Sequence, residues 1–342
     1  MNQTGISSYT EPQLAELVKE MGQPAFRAKQ LFKWLHEKQA RSFSAMTNQP
    51  KAFLAALEER FFIETLETER RQQSKDGTVK YLFRLPDGNC IETVLMRYSY
   101  GNTVCVSTQV GCRFCASTQG GRVRNLTAGE IANEVYAAAR DTGERVSHIV
   151  LMGIGEPLDN FDHVMDFLSI ISSPNGVNIG MRNISLSTCG LVPMIYKLAE
   201  RHLGLTLSVS LHAPTDEMRS SMMPVNDVYP VEQLIRACRD YQQETGRRVS
   251  FEYSMVNGVN DSPQTARRLA QLIKGMGAHV NLIPINPVDG SPYSATDAAN
   301  VKRFQTLLTE LGVNATVRRR LGTDISAACG QLRREAKGGT TA

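Results

Sequence analysis

Long apolar runs are missing from this chain. Nowhere in its 342 residues do eighteen apolar residues follow one another, and Met1 to Ser8 contains no basic segment leading into an apolar one. Membrane insertion and secretion are therefore not expected, and a cytoplasmic protein is. Cysteine is scarce and odd in number, seven in all and unevenly spaced, which argues against a disulfide framework and for a reducing compartment. A strong charge of either sign is also absent. The net charge of +4 does not diagnose a nucleic-acid partner, because counterion release depends on local clusters of positive charge rather than on the total. What is present is 42% hydrophobic residues, enough in a chain of this length to bury a large core, with one large domain and a smaller one beside it. A monomer is the expected state.

The first seventy or so residues read as helical, with Pro24, Phe26, Leu31, Trp34 and Leu35 forming an apolar face among basic residues. Residues 1–75 are accordingly assigned to a small helical accessory domain, and residues 76–102 to a β-hairpin linker. In the hairpin, Val79, Tyr81, Phe83 and Leu85 alternate, Pro86-Asp87-Gly88 turns the chain, and the second strand carries Glu92. Two readings of Glu92 stand. Sharing a face with Cys90, Val94 and Met96 would desolvate its carboxylate, whereas an edge strand would leave it facing water. From residue 103 to 342 strands and helices alternate, with strand candidates at 104–107, 148–152, 184–187, 205–211, 250–255 and 280–283. Thr127-Ala-Gly-Glu130 is a capping box, Val231, Leu234, Ile235 and Cys238 keep the helical period, and Ser262-Pro263 opens another helix. Repeated β-then-α units require parallel strands, and right-handed crossovers wind them into a full or partial α/β barrel with its functional groups on the loops at the strands' C-terminal ends.

Three of the seven cysteines fall within Cys105-Val-Ser-Thr-Gln-Val-Gly-Cys112-Arg-Phe-Cys115. Thiols this dense, following a β-rich run and preceding the basic loop Gly120-Gly-Arg-Val-Arg-Asn125, point to metal or iron–sulfur ligation rather than packing. Groups suited to a polar small molecule recur where the strands end: Gly153-Ile-Gly155-Glu156-Pro157, Ser187-Thr-Cys189-Gly190, Ser210-Leu211-His212-Ala213-Pro214 and Ile283-Pro-Ile-Asn286-Pro287. The two glycines admit close approach to the backbone, and Glu156 offers an acceptor to an ammonium group. Positive charge gathers around Arg27 to Arg41, at Arg122 and Arg124, and from Arg318 to Lys337, so that RNA is a reasonable partner.

Taken in order, and together with Asp324-Ile-Ser-Ala-Ala-Cys329-Gly-Gln-Leu332, these motifs resemble the radical S-adenosylmethionine (SAM) enzymes of the RlmN/Cfr family, over nearly the whole chain. The resemblance implies a radical-SAM partial (β/α)6 barrel behind the helical domain and hairpin, a [4Fe-4S] cluster and SAM as cofactors, and a flavodoxin-type electron donor. It implies methylation of carbon 2 of adenosine in 23S rRNA, with tRNA as a further substrate class and carbon 8 as the alternative position. Cys329 is similar to the family's methyl-carrying cysteine. Cys105 resembles the second catalytic cysteine, left in a disulfide with Cys329 after turnover, and Glu92 matches the proton acceptor. Gly155, Glu156, Ser187, Ser210, Leu211, His212 and Asn286 match SAM-binding positions, and Cys112 and Cys115 match cluster ligands.

In one respect the chain departs from that pattern. The family's cluster loop reads C-x-x-x-C-x-x-C, whereas Gly111-Cys112-Arg113-Phe114-Cys115 retains two of the three thiolates between intact flanks. Three consequences stand open: recruitment of Cys105 as the third ligand, a catalytically silent homologue that binds RNA, or a four-residue deletion from an ordinary enzyme.

Overall fold

The fold is built on strands whose apolar residues face one way. The computed structural model describes residues 4–112, 121–285, 293–322, 324–325 and 332. The chain opens with β1 (Thr4–Gly5), α1 (Glu11–Glu20), α2 (Phe26–His36), α3 (Lys51–Arg60) and β2 (Phe61–Phe62). Three antiparallel strands follow, β3 (Glu67–Gln73), β4 (Val79–Arg84) and β5 (Cys90–Tyr98). Next come β6 (Gly101–Cys105), the short hairpin of β7 (Gln109–Gly111) and β8 (Arg122–Asn125), and α4 (Ala128–Thr142). The alternating region continues through β9 (Val146–Leu151), α5 (Phe161–Ser172), β10 (Ile184–Thr188), α6 (Val192–Ala199), β11 (Thr206–Ser210), α7 (Asp216–Met222) and α8 (Val231–Thr245). It ends with β12 (Val249–Met255), α9 (Pro263–Leu272), β13 (His279–Pro284), α10 (Ala298–Glu310) and β14 (Asn314–Val317).

One sheet of ten strands results among the described residues, in the order β14-β13-β12-β11-β10-β9-β6-β5-β4-β3. From β6 to β14 neighbours run parallel, as the alternation of strand and helix requires, and β5, β4 and β3 extend the sheet antiparallel. Two of these strands lie where no strand was expected. β3 occupies residues assigned to the helical stretch, and β14 is a seventh parallel strand beyond the six expected.

Period-two patterning decides which face meets the helices. Leu186, Leu207, Val209, Phe251, Tyr253, Val280 and Leu282 are buried on that face. The alternate residues, among them Ser185, Ser187, Ser208, Glu252 and Asn281, line the concave side of the open sheet. Helix α4 is fixed at its start by the expected capping box, in which Thr127 accepts from the Glu130 amide and Glu130 from that of Thr127. The helical N-terminal region packs on α4 and α5: Ser8 Oγ accepts from the Gly129 amide at 3.0 Å, and His36 Nδ1 lies 3.0 Å from the Tyr136 hydroxyl. One large apolar core therefore runs from Ile6 to Ala315, with a small second cluster at Cys189, Met223 and Val225.

Among the described residues strand pairing does not close the sheet into a barrel. Instead the chain after β14 crosses to the turn between β3 and β4. The Gly322 amide donates to Asp76 Oδ2 at 2.8 Å, and Asp324 accepts from the Lys75 amide at 3.1 Å and from the Ser74 hydroxyl. This strap ties together the two edges of the open sheet.

Candidate active site

Register brings the first group of residues together. Val94 on β5 pairs with Lys80 on one side and Cys105 on the other, and Glu92 lies two positions along β5 on the same face. Diagonal neighbours on one sheet face stand close enough for long side chains to touch. Glu92 is 4% exposed and Lys80 fully buried, with Lys80 Nζ 3.0 Å from Glu92 Oε2. Of the two sequence readings of Glu92, the desolvated one therefore holds. Cys105 is also buried.

Between Cys105 and the cysteine loop the chain is pinned from below by α4. Glu134, fully buried, accepts from the Ser107 amide at 3.0 Å and from the Thr93 hydroxyl, and burial pushes its carboxyl well above the usual range. The base of the loop is then pinched by β7 and β8. Gly111 has φ +80°, and a Cβ there would sit 2.1 Å from the Gly121 carbonyl oxygen, so only glycine fits. Cys112, directly after β7, is buried and faces a cavity of about 260 Å³.

That cavity lies at the C-terminal ends of the parallel strands. Gly153, Gly155, Glu156, Ser187, Cys189, Ser210 and His212 all line it. The glycines are required by the chain's own packing: a Cβ on Gly153 would lie 2.6 Å from the Val106 oxygen, and one on Gly155, whose φ is +113°, 2.7 Å from the Gln109 amide. Glu156 is committed in the same way. Its two oxygens accept from the Cys189 amide at 2.7 Å and the Leu158 amide at 3.1 Å, while burial raises its carboxyl against the pull of those bonds. The same burial, with Glu156 alongside, pushes the Cys189 thiol up, so Cys189 is held neutral.

His212 takes a left-handed φ of +58° and points its Nδ1 at the Ser254 amide, 3.1 Å away. Nδ1 therefore accepts and Nε2 carries the proton. Burial, reinforced by nearby Arg219, lowers its pKa to about 4, so a neutral imidazole offers an N–H to the cavity. Leu211 is buried, its amide donating to the Glu252 carbonyl at 3.1 Å and its carbonyl accepting from Arg219 Nε at 3.2 Å.

Arg219 was not anticipated. It is fully buried on α7 and binds carbonyls from two strand-end loops, Nη2 to Cys189 at 2.6 Å and to Ser210 at 3.1 Å, in addition to Leu211. Nη1 reaches Asn226 at 3.1 Å, and burial lowers its pKa to about 10. Its signal in the sequence is faint, since the partners are backbone atoms. Lys80 was likewise missed.

Of the sequence-predicted residues, Glu92 and Cys105 share one inner face, and Gly155, Glu156, Ser187, Ser210, His212 and Cys112 surround one cavity. Cys115, Asn286 and Cys329 lie outside the described residues. Among the described residues no disulfide is formed, and the one implied between Cys105 and Cys329 involves a cysteine outside them, so it is not supported here.

The chemistry of these donors can be set against the two implied cofactors. Hydroxyls at Ser187 and Ser210, a neutral imidazole N–H and a glycine-rich turn suit a polar molecule such as SAM. The iron–sulfur cluster does not fit equally well. The loop offers two thiolates, Cys112 and Cys115, and among the described residues no group of three or more His, Cys, Asp or Glu is placed to hold a metal ion.

Comparison with known proteins places these features in context. Residues 107–270 match the family model of the radical SAM superfamily, and residues 4–63 that of the ribosomal RNA large subunit methyltransferase N-terminal domain. A protein of Clostridium botulinum (strain Eklund 17B / Type B) named "Probable dual-specificity RNA methyltransferase RlmN" is 50% identical over 334 residues, 96% of each chain. One of the same name from Staphylococcus aureus (strain JH9) is 53% identical over 92% of this chain and 88% of its own. The crystal structure of a radical SAM methyltransferase from Sphaerobacter thermophilus superposes with a TM-score of 0.90 at 46% identity, covering 96% of this chain and 98% of that one.

Proposed function

Because the chain belongs to the RlmN family of radical SAM RNA methyltransferases, we propose that its site is built to methylate carbon 2 of adenosine in 23S rRNA, and in tRNA, through a methyl-cysteine. The observation that carries this reading is the convergence of a buried carboxylate and a buried thiol, Glu92 and Cys105, on the concave face that leads to the cavity of Ser187, Ser210 and His212. SAM supplies the methyl group when bound, and Ser187, Ser210 and the His212 Nε2–H would hold its polar groups. Cys329 carries the methyl carbon, Glu92 accepts the proton that leaves carbon 2, and Cys105 releases the product from Cys329. Lys80 holds the Glu92 carboxylate in place. No step is assigned to the shortened cysteine loop, whose two thiolates fall one short of the family's set.

That shortfall favours a second reading, a homologue that binds SAM and RNA without radical chemistry. Mass spectrometry of nucleosides, after reaction of the anaerobically reconstituted chain with SAM, a reductant and 23S rRNA or tRNA, separates the two. The 2-methyl nucleoside supports the first reading, and the 8-methyl nucleoside overturns its choice of carbon. SAM and RNA bound without any methylated adenosine supports the second.

A further inference from the structure

A larger cavity, about 530 Å³, occupies the concave side of the sheet at the opposite end of the strands. Its walls include the first or second residues of β10 to β13, namely Ser185, Thr206, Ser250 and His279, so it opens at their N-terminal ends. Four arginines reach it. Arg247 and Arg248 come from the loop before β12, and Arg318 and Arg319 from the segment after β14. Among the described residues Glu252 is the only carboxylate in the lining, and it already accepts from Asn281 at 2.8 Å. Arg247 and Arg248 thus make the mouth positively charged, while Arg318 and Arg319 enter the cavity from the C-terminal end of β14.

It also carries an aromatic platform. Tyr98 and Tyr100, at the turn between β5 and β6, stack with ring centroids 4.9 Å apart and planes 7° from parallel. Tyr100 is 62% exposed, and His148 meets it edge-on at 5.0 Å. Arg318 and Arg319 lie close enough to the Tyr98 phenol to oppose the rise that burial causes there. The volume falls within the range of about 300–1,000 Å³ usual for small-ligand sites. Flat π-faces beside guanidinium groups, over a floor of hydroxyl, amide and imidazole groups, match a heterocyclic base with its phosphate.

Met152, Glu252 and Arg318 line this cavity and the smaller one alike, so the two adjoin on the concave side of the sheet. We infer that the N-terminal mouth of the open sheet takes a nucleotide of a single-stranded RNA segment, its base stacking on Tyr100 and its phosphates held by Arg247 and Arg248. The inference deepens the RNA reading above and rests on it for the identity of the polymer. A free mononucleotide has the same chemistry, and the test separates the two sources.

The test is fluorescence anisotropy of the full chain with a labelled, adenosine-containing RNA single strand of about ten nucleotides, at several salt concentrations, alongside direct titration with AMP. Tyr100→Ala is expected to weaken RNA binding about tenfold or more without changing its salt dependence, and Tyr100→Phe to restore it. Replacing Arg247 and Arg248 together by alanine should lower the slope of log K against log salt by about 1.4, at about 0.7 per phosphate contact. As Tyr100 is exposed, its variants should melt where the parent does. If the parent binds RNA and all these variants bind it equally well, the mouth is not the site, although the RNA reading survives. If the parent binds AMP in a Tyr100-dependent way but not RNA, the polymer is wrong and the RNA reading fails with it. Binding of neither overturns both.

Discussion

Replacing Lys80 by methionine isolates the energetics of the inner-face ion pair. Two unit charges 3.0 Å apart attract by roughly 5–6 kcal/mol at an effective dielectric of about 20. Removing one partner of such a buried pair costs about 3–5 kcal/mol, because the other is left charged in a site without water. Lys80 and Glu92, at 0% and 4% exposure, meet that condition. Lys80→Met should therefore reduce the folded-to-unfolded ratio by about 10² to 10⁴. The double replacement Lys80→Met with Glu92→Leu removes both charges and should recover most of the loss, since an apolar pair of similar size is close to neutral in such a site. Urea unfolding of parent, singles and double, followed by circular dichroism, gives the coupling energy through the cycle. A coupling below about 1 kcal/mol would refute the reasoning, as would a double variant no more stable than Lys80→Met. In the reading of Glu92 as proton acceptor, Lys80→Arg should preserve function where Lys80→Met does not, because a cation at that position keeps the carboxylate in place.

Iron and acid-labile sulfide, measured after anaerobic reconstitution, should fall well short of four per chain, because the loop supplies two thiolates; a full complement would show that a third sulfur is recruited, and serine replacements at Cys105 and Cys189 would locate it. Arg219→Met should destabilise the chain by about 3 kcal/mol or more and weaken SAM binding in equilibrium dialysis, since it removes a buried donor from the carbonyls of Cys189, Ser210 and Leu211; an unchanged melting temperature would contradict this. Acidification acts on His212. Its pKa is about 4 in the fold and 6.5 unfolded, so below pH 6.5 the unfolded chain takes up a proton that the folded one refuses. The stability of the neutral ring is complete above pH 6.5 and is lost at up to about 1.4 kcal/mol per unit down to pH 4. His212→Asn, which tolerates the left-handed backbone, should be less sensitive over that window, and identical pH profiles would remove the assignment.

The parts of this molecule that were legible in its sequence are those in which burial and patterning agree. Apolar residues at period two mark the faces that meet the helices, as in Leu207 and Val209 or Val280 and Leu282, and strand-end motifs stand out because they interrupt that pattern. Edge strands carry no such mark. Glu67 to Gln73 is polar throughout because few of its side chains are covered, and in Asn314 to Val317 only Ala315 is buried.

The active face was obscured for a deeper reason. In an open curved sheet the polar positions are the ones that point inward, so Lys80, between Val79 and Tyr81, reads as an outward lysine on a half-buried strand although it is fully enclosed. Binary patterning identifies the side of the strand that the helices cover. It cannot tell a concave interior from solvent, since both leave the alternate positions polar. Arg219 escapes for a related reason, because its partners are carbonyl oxygens that every residue possesses. The inner-face charges and the strand-end carbonyls are brought into contact by register and curvature, so the residues that organise this site become visible only once the sheet is assembled.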